Sequence, residues 1–451
     1  MDFNNYKLEP AFDFNVAESS IQLTRGRAEI CIDGNVYSGD GGVVLEFTPH
    51  GRLYFHGSFK DVPSIESLKL ITEKNTISKF SINDREIPGF VINCKIGAMS
   101  DELIVKWSPR RRSIIGVGDS LSQISWVIFH VFNFVEYLGM RRSVELNHET
   151  KARIAIEHID LDSHQWAIEL KSLLVTSENI KVLKGEGGCR ITHVGRFQKK
   201  NNNAFSGQDA YDCLRALGYF LSFAKGCWCE PVCAVGFNKN SERVWELWSS
   251  PREIWQSPPS WFDPHNTTQL ASLFPGFMSR WVDEDWRKTL EEVIYWYLNA
   301  NNSFRGIDAG IILSQTAIER LSYEFAVKDK KLLSSNGFKD LRASDKFRLL
   351  FSSIGLPTAL PSETPEIANL PIKNQTNIYD APYALVEIRN SLVHPEHKWK
   401  DVLTKAYYEA WNLSLWYLEM CILASCGYTE TFGNRLKSHW IGEIEDVPWK
   451  N

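Results

Sequence analysis

Three residues near the end of the chain have the types and spacing for proton and phosphate chemistry: Arg389, Asn390 and His394. Histidine is the side chain whose ordinary titration lies near neutrality, so it can take or give a proton at pH 7. Arginine presents a planar fork of N–H donors that matches the oxygens of a phosphate. An amide beside them can orient the imidazole or hydrogen-bond a phosphate oxygen. Such a set can cut RNA without a metal. The 2′-OH attacks the adjacent phosphorus, the guanidinium offsets the charge of the phosphorane, and the imidazole protonates the departing 5′-oxygen.

The elements around these residues predict how they are held. Asp380 or a neighbour can cap the start, and Pro382 suits a first helical turn, where its missing N–H is not needed. Pro395 disfavours a helical conformation at His394, so the helix should end there, after about three turns. On a helical wheel Leu385, Ile388 and Leu392 form the core stripe, with Arg389 at its edge. Asn390 and His394 share another face, with Glu387 and Ser391 beside them. His397 lies beyond Pro395 and off the helix. The competing structural role pairs Arg389 with Glu387 or Glu319 and leaves His394 to cap its helix. The spacing alone carries little weight, because Arg153 and His158 repeat it inside an alternating strand pattern. Residues five apart on a strand face opposite sides of the sheet.

The totals describe an ordinary globular chain of 451 residues with room for two or three domains. A net charge of −5 excludes nucleic-acid binding by bulk charge, so any RNA contact must use local patches. Nine scattered cysteines fit reduced thiols. Among them, Cys227, Cys229 and Cys233 lack the paired spacing of a zinc site, so neither metal nor cofactor is expected. With no signal peptide or membrane-length apolar run, the expected location is the cytoplasm.

The fold class expected is α+β. Residues 1–275 read as a β-rich region, with a division into two subdomains near 115–150 left open, and 276–451 as a helical bundle. Short alternating runs between Gln22 and Val105, broken at Asp33-Gly34, Gly39-Asp-Gly-Gly42 and Pro49-His-Gly51, predict an antiparallel sandwich or curled sheet. Ile124–Phe134 reads as a buried strand or a short helix, Gly185–Gly188 as a turn between strands, and Gln208–Ala224 as an amphipathic helix. The loop holding Lys106, Arg110, Arg111 and Arg112 is a candidate RNA contact, weighed against a solvated hairpin with Trp107 beneath it. Pro258, Pro259, Pro264 and Pro275 mark a boundary. Beyond it, Val282, Trp286, Leu290, Val293, Ile294 and Tyr297 predict one long helix, and Ile307–Phe325 a second. Asp345–Ile354 is a third, Leu356–Thr376 a proline-rich loop, and Asp401–Ser425 a helix apolar nearly all round, either the bundle's centre or a dimer face.

A helix ending in Arg389-Asn-Ser-Leu-Val-His394, within a helical region and after a long proline-rich loop, resembles the HEPN superfamily of ribonucleases. Ser314-Gln-Thr-Ala-Ile-Glu-Arg-Leu321 and Lys346-Phe-Arg-Leu-Leu-Phe351 look similar to its Apea-like group, over about residues 278–430. A β-rich half ahead of such a region is the layout of abortive-infection effectors of the ApeA type. The resemblance implies a metal-independent antiphage or toxin-like endoribonuclease. Arg389, Asn390 and His394 would be catalytic, and two copies would build one composite site in a homodimer. The implied partners are RNA, with tRNA as one candidate, and a phage-derived trigger, with no membrane. Two other classes stand beside it. One is a non-catalytic HEPN interaction module with a ligand-binding β region. The other is a sugar- or peptide-binding sandwich using Trp245 and Trp248 as stacking platforms.

Overall fold

In the computed structural model, two-residue turns set the register of the first sheet. The structure describes residues 8–13, 20–47, 50–63, 77–96, 102–146, 151–370, 379–394, 404–438 and 440–450. β1 (Ser20–Ile32) and β2 (Asn35–Glu46) are joined through Asp33 (φ 47°) and Gly34 (φ 90°). Positive φ at both central residues gives the turn whose twist matches that of paired strands. β3 (Arg52–Lys60) follows, and Asn83 and Asp84 make a second such turn between β4 (Ile77–Ile82) and β5 (Arg85–Glu86). With β6 (Gly89–Ile96) and β7 (Glu102–Pro109) they form a seven-stranded antiparallel sheet, ordered β5-β4-β1-β2-β3-β7-β6. Gly39–Gly42 is not the expected turn but the middle of β2. A Cβ on Gly41 would stand 2.5 Å from the His56 carbonyl oxygen and 2.6 Å from the Ala28 Cβ. Glycine here allows close approach of the backbone and not a reversal of the chain.

The chain then crosses into an eight-stranded sheet. Its members are β8 (Ser113–Val117), β9 (Trp126–Phe132), β10 (Arg141–Leu146), β11 (Arg153–Asp162), β12 (Trp166–Ser172), β13 (Ile191–Lys199), β14 (Pro231–Phe237) and β15 (Arg243–Ser249). Their order is β10-β11-β12-β13-β9-β14-β15-β8. The run Ile124–Phe134 therefore holds a strand, β9, at the interior of the sheet. Gly185–Gly188 closes a helix, α1 (Thr176–Glu186), which ends at Gly187 with φ 73°. α2 (Gly207–Lys225) starts with a reciprocal cap between Ser206 and Asp209 and stops at left-handed Gly226.

The second sheet is the middle layer. One face places Ile128, Phe132, Val194 and Val235 against Phe55, Phe59, Phe80 and Trp107 of the first sheet. The other face places Val127, Phe129, Val131 and Phe197 in one continuous core with Ala216, Leu217 and Phe220 of α2 and with the helices that follow. Each fully buried side chain of this size contributes about 2 kcal/mol, so the shared core welds sheet and helices together.

The run of helices after β15 starts with α3 (Thr268–Val282), which contains Pro275. The expected single helix through Val282 is broken at Asp283, whose carboxylate accepts from the Asp285 and Trp286 N–H groups and starts α4 (Glu284–Ala300). Val282 consequently lies outside the core at 68% exposure. α5 (Ile307–Tyr323) runs on into a π-helical segment, Glu324–Asp329. Then come α6 (Ser335–Asp340), α7 (Ala343–Ser353), the short α8 (Pro365–Ala368), α9 (Ala381–Val393) and α10 (Thr404–Ser425). α10 is buried along nearly its whole described length, which makes it the centre of the bundle. Two short strands, β16 (Thr431–Phe432) and β17 (Glu445–Asp446), pair in the C-terminal tail. Pro395, His397 and residues 401–403 lie outside the described residues.

Candidate functional site

α9 is held at its start and exposed at its end. Asp380 accepts from the Tyr383 N–H at 2.9 Å, as a cap should. The same carboxylate takes both arms of Arg348 from α7, at 2.7 and 2.9 Å. Hydrogen bonding to Asp380 raises the Arg348 guanidinium above its ordinary value. Leu385 and Ile388 are fully buried, and Gln315 of α5 donates to the Leu385 carbonyl at 2.8 Å. These contacts fix the rotation of the helix about its axis, and thereby which residues reach the surface.

At the other end the backbone leaves the helix at His394 (φ −111°, ψ 112°), whose N–H still bonds to the Asn390 carbonyl at 2.9 Å. His394 is exposed, while Arg389 and Asn390 are half-buried. Arg389 makes no ion pair among the described residues; its Nη1 lies 3.4 Å from the Asn390 Oδ1. The alternative partner Glu319 is taken by Lys346 at 2.6 Å. Ser391 does not join the polar face. It is buried, and its hydroxyl donates to the Ile388 carbonyl at 2.6 Å, because a small hydroxyl can be satisfied within its own helix turn. The last turn and a half of α9 therefore carries a guanidinium with no carboxylate partner among the described residues, an amide beside it and, further round the helix, an exposed imidazole.

The basic loop divides. Lys106 lies on β7, pairs with Glu46 at 2.7 Å and covers the Tyr54 ring at 3.8 Å. It lines a different depression from the arginines. Trp107 is core: it stacks on Phe80 and its indole donates to the Ile87 carbonyl at 3.1 Å. Arg110, Arg111 and Arg112 are exposed at the crossing between the sheets. Arg112 is paired with Glu230 at 2.9 Å, whereas Arg110 and Arg111 have no ion pair among the described residues.

Trp245 and Trp248 are not stacking platforms. Both are buried, because the faces of β15 are covered by α2 on one side and by the first sheet on the other. Cys227, Cys229 and Cys233 are buried thiols, each directed at a carbonyl. Burial pushes Cys229 and Cys233 up to about 12, far from nucleophilic thiolate.

One cluster is not legible in the sequence. Ser143, His158 and Glu169 sit on three adjacent strands and form a chain, Ser143 Oγ to His158 Nε2 at 2.9 Å and His158 Nδ1 to Glu169 at 3.0 Å. The order is that of a nucleophile, base and orienting acid. Glu169 is also bound by Arg141 and Arg196, each at 3.1 Å. Burial alone would push it up, but His158 and the two arginines bring it down to about 2. Glu169 is thus held as a carboxylate by three donors, and the cluster forms a polar ladder across three strands. The residues lie 11 and 15 apart, and only strand register brings them together.

Comparison with known proteins places these features within two described regions. Residues 119–259 match the YopA central domain and residues 283–446 the YopA C-terminal domain. Over 460 aligned residues the chain is 28% identical to the SPbeta prophage-derived uncharacterized protein YopA of Bacillus subtilis (strain 168), covering 99% of both chains. No solved structure matches. The Arg389–His394 end of α9 falls within the C-terminal match, and the Ser143–His158–Glu169 ladder within the central one.

Proposed function

We propose that the chain is a metal-independent endoribonuclease of an antiphage or toxin-like system, with Arg389, Asn390 and His394 as its site. The observation that carries this reading is the end of α9. A half-buried arginine without a carboxylate partner among the described residues stands within one and a half turns of an exposed histidine. A structural arginine at such a position ordinarily finds an acid. Here Glu319, one of the two candidate acids, is engaged by Lys346. Arg389 supplies charge to the phosphorane, and His394 protonates the 5′-oxygen as the 2′-OH closes on phosphorus. The products are a 2′,3′-cyclic phosphate and a 5′-OH. One histidine cannot be acid and base at once, so the second proton transfer falls to the His394 of a second copy, in a homodimer. The prophage origin given for the Bacillus relative fits a setting of conflict between phage and host.

Cleavage of RNA in EDTA tests the reading. His394→Ala should lose about 100-fold or more, the usual worth of a positioned proton donor, and Arg389→Ala a comparable factor. Equal cleavage by His394→Ala and wild type ends it. The alternative is a non-catalytic interaction module with a ligand-binding β region. One observation favours it: arginines without ion pairs also gather in the β region, away from α9.

A further inference from the structure

Where the two sheets meet the strand that leads to the helices, five arginines line one cleft of about 480 Å³. Arg52 comes from the start of β3, Arg110, Arg111 and Arg112 from the crossing between sheets, and Arg252 from the segment after β15. One acid, Glu253, is in the lining. Glu230, just outside it, binds Arg112 at 2.9 Å and Arg252 at 3.0 Å and so neutralises part of that charge. Arg52, Arg110 and Arg111 have no ion pair among the described residues. In a chain of net charge −5, three uncompensated guanidinium groups around one cavity form a marked local excess.

The walls are built and not incidental. The Leu53 N–H donates to Ser250 Oγ at 2.8 Å, and the Ser250 N–H donates to the Arg112 carbonyl at 3.0 Å, joining all three segments. Arg252 is fixed over the Trp228 ring at 3.4 Å. Gly51 (φ 58°) brings the β2–β3 connection so near that a Cβ there would stand 2.5 Å from Pro251. The lining holds no phenylalanine, tyrosine or tryptophan; the planar groups it offers are the His50 imidazole and the guanidinium groups themselves.

We propose that this cleft binds a small ligand bearing two or three linked phosphates, recognised through its phosphates. The volume is that of a small-molecule site, and each guanidinium can hold a phosphate in a bidentate fork. Single-stranded RNA, which would need aromatic platforms and a longer basic track, is the lesser fit. Glu253 in the lining also reaches Arg305, beyond α4, at 3.5 Å, which ties the wall of the cleft to the helical region.

The probe is inorganic triphosphate, titrated calorimetrically at low salt into the full chain carrying His394→Ala. The nuclease reading then has no bearing on the result. One ligand should bind per chain, tighter than orthophosphate, and raise the melting temperature. Arg52→Ala, and Arg110→Ala with Arg111→Ala, should each weaken binding about 10-fold or more, and Lys106→Ala should leave it unchanged. These arginines are exposed, so the variants fold. Absence of saturable binding overturns the proposal, as does undiminished binding by the arginine variants. So does tighter binding of a short single-stranded RNA that Lys106→Ala and the cleft variants weaken alike, which would mark a diffuse nucleic-acid face.

Discussion

Replacing Arg435 by methionine should unfasten the joint between the β region, its linker and the helical bundle. Arg435 and Glu419 form an ion pair in which neither side chain has any exposure. Arg435 reaches Glu419 twice, at 3.0 and 2.7 Å, and also donates to the Pro259 carbonyl at 2.9 Å and to Asn301 at 3.1 Å. Tyr297 donates to the same carboxylate at 2.6 Å, and Asn301 donates in turn to the Gly226 carbonyl at the end of α2. Arg435→Met leaves a carboxylate in the centre of α10 with one neutral donor. Stranding a buried charge costs about 3–5 kcal/mol, against less than about 1 for an exposed pair. Adding Glu419→Gln removes the stranded charge, so the double variant should recover about 2 kcal/mol relative to the sum of the single losses. Urea unfolding followed by both tryptophan fluorescence and far-ultraviolet dichroism measures this. An Arg435→Met loss within about 1 kcal/mol of zero, or strict additivity in the double variant, would refute the view that this pair fastens the tail and linker to the bundle.

Other perturbations test other links. Asp380→Ala removes the cap of α9 and the partner of Arg348; it should cost about 1–3 kcal/mol, speed hydrogen exchange over residues 381–393, and lower RNA cleavage although Arg389 and His394 are untouched. His130 is buried, with Nε2 accepting from the Ala11 N–H at 3.1 Å and Nδ1 facing the Cys233 carbonyl at 3.0 Å, and burial drives it down to about 4. Its unfolded form binds a proton at higher pH, so its contribution is complete above about pH 6.5 and is lost as pH falls towards 4, by about 3 kcal/mol. Unfolding titrations should show a shallower slope across that window in His130→Asn, and the protection factor of the Ala11 amide, taken against its intrinsic rate at each pH, should fall on acidification of the wild type; identical slopes would remove His130 from the account. Gly41→Ala should destabilise the first sheet by about 1–3 kcal/mol through the contacts at Ala28 and His56, measured as a fall in melting temperature.

Local chemistry was readable in the sequence wherever it is decided within a few residues. Asp33-Gly34 specifies its turn because two positive φ values are needed in succession, and Asp380 with Pro382 specifies the start of α9 because both satisfy the first helical turn. The apolar periodicity of Leu385 and Ile388 placed Arg389 at the edge of the core stripe and Asn390 and His394 away from it. Gly39–Gly42 misled, since glycine serves a tight turn and a close strand crossing equally, and only the neighbours Ala28 and His56 choose between them. Val282 misled because one capping carboxylate, Asp283, outweighs a continuous apolar period. Tertiary structure alone decided three things: that Lys106 is spent on Glu46, that Ser143, His158 and Glu169 meet, and that arginines 58 to 60 positions from Arg52 share its cleft with Arg252. Each depends on strand register and on the stacking of two sheets, which long-range packing sets and no local window contains.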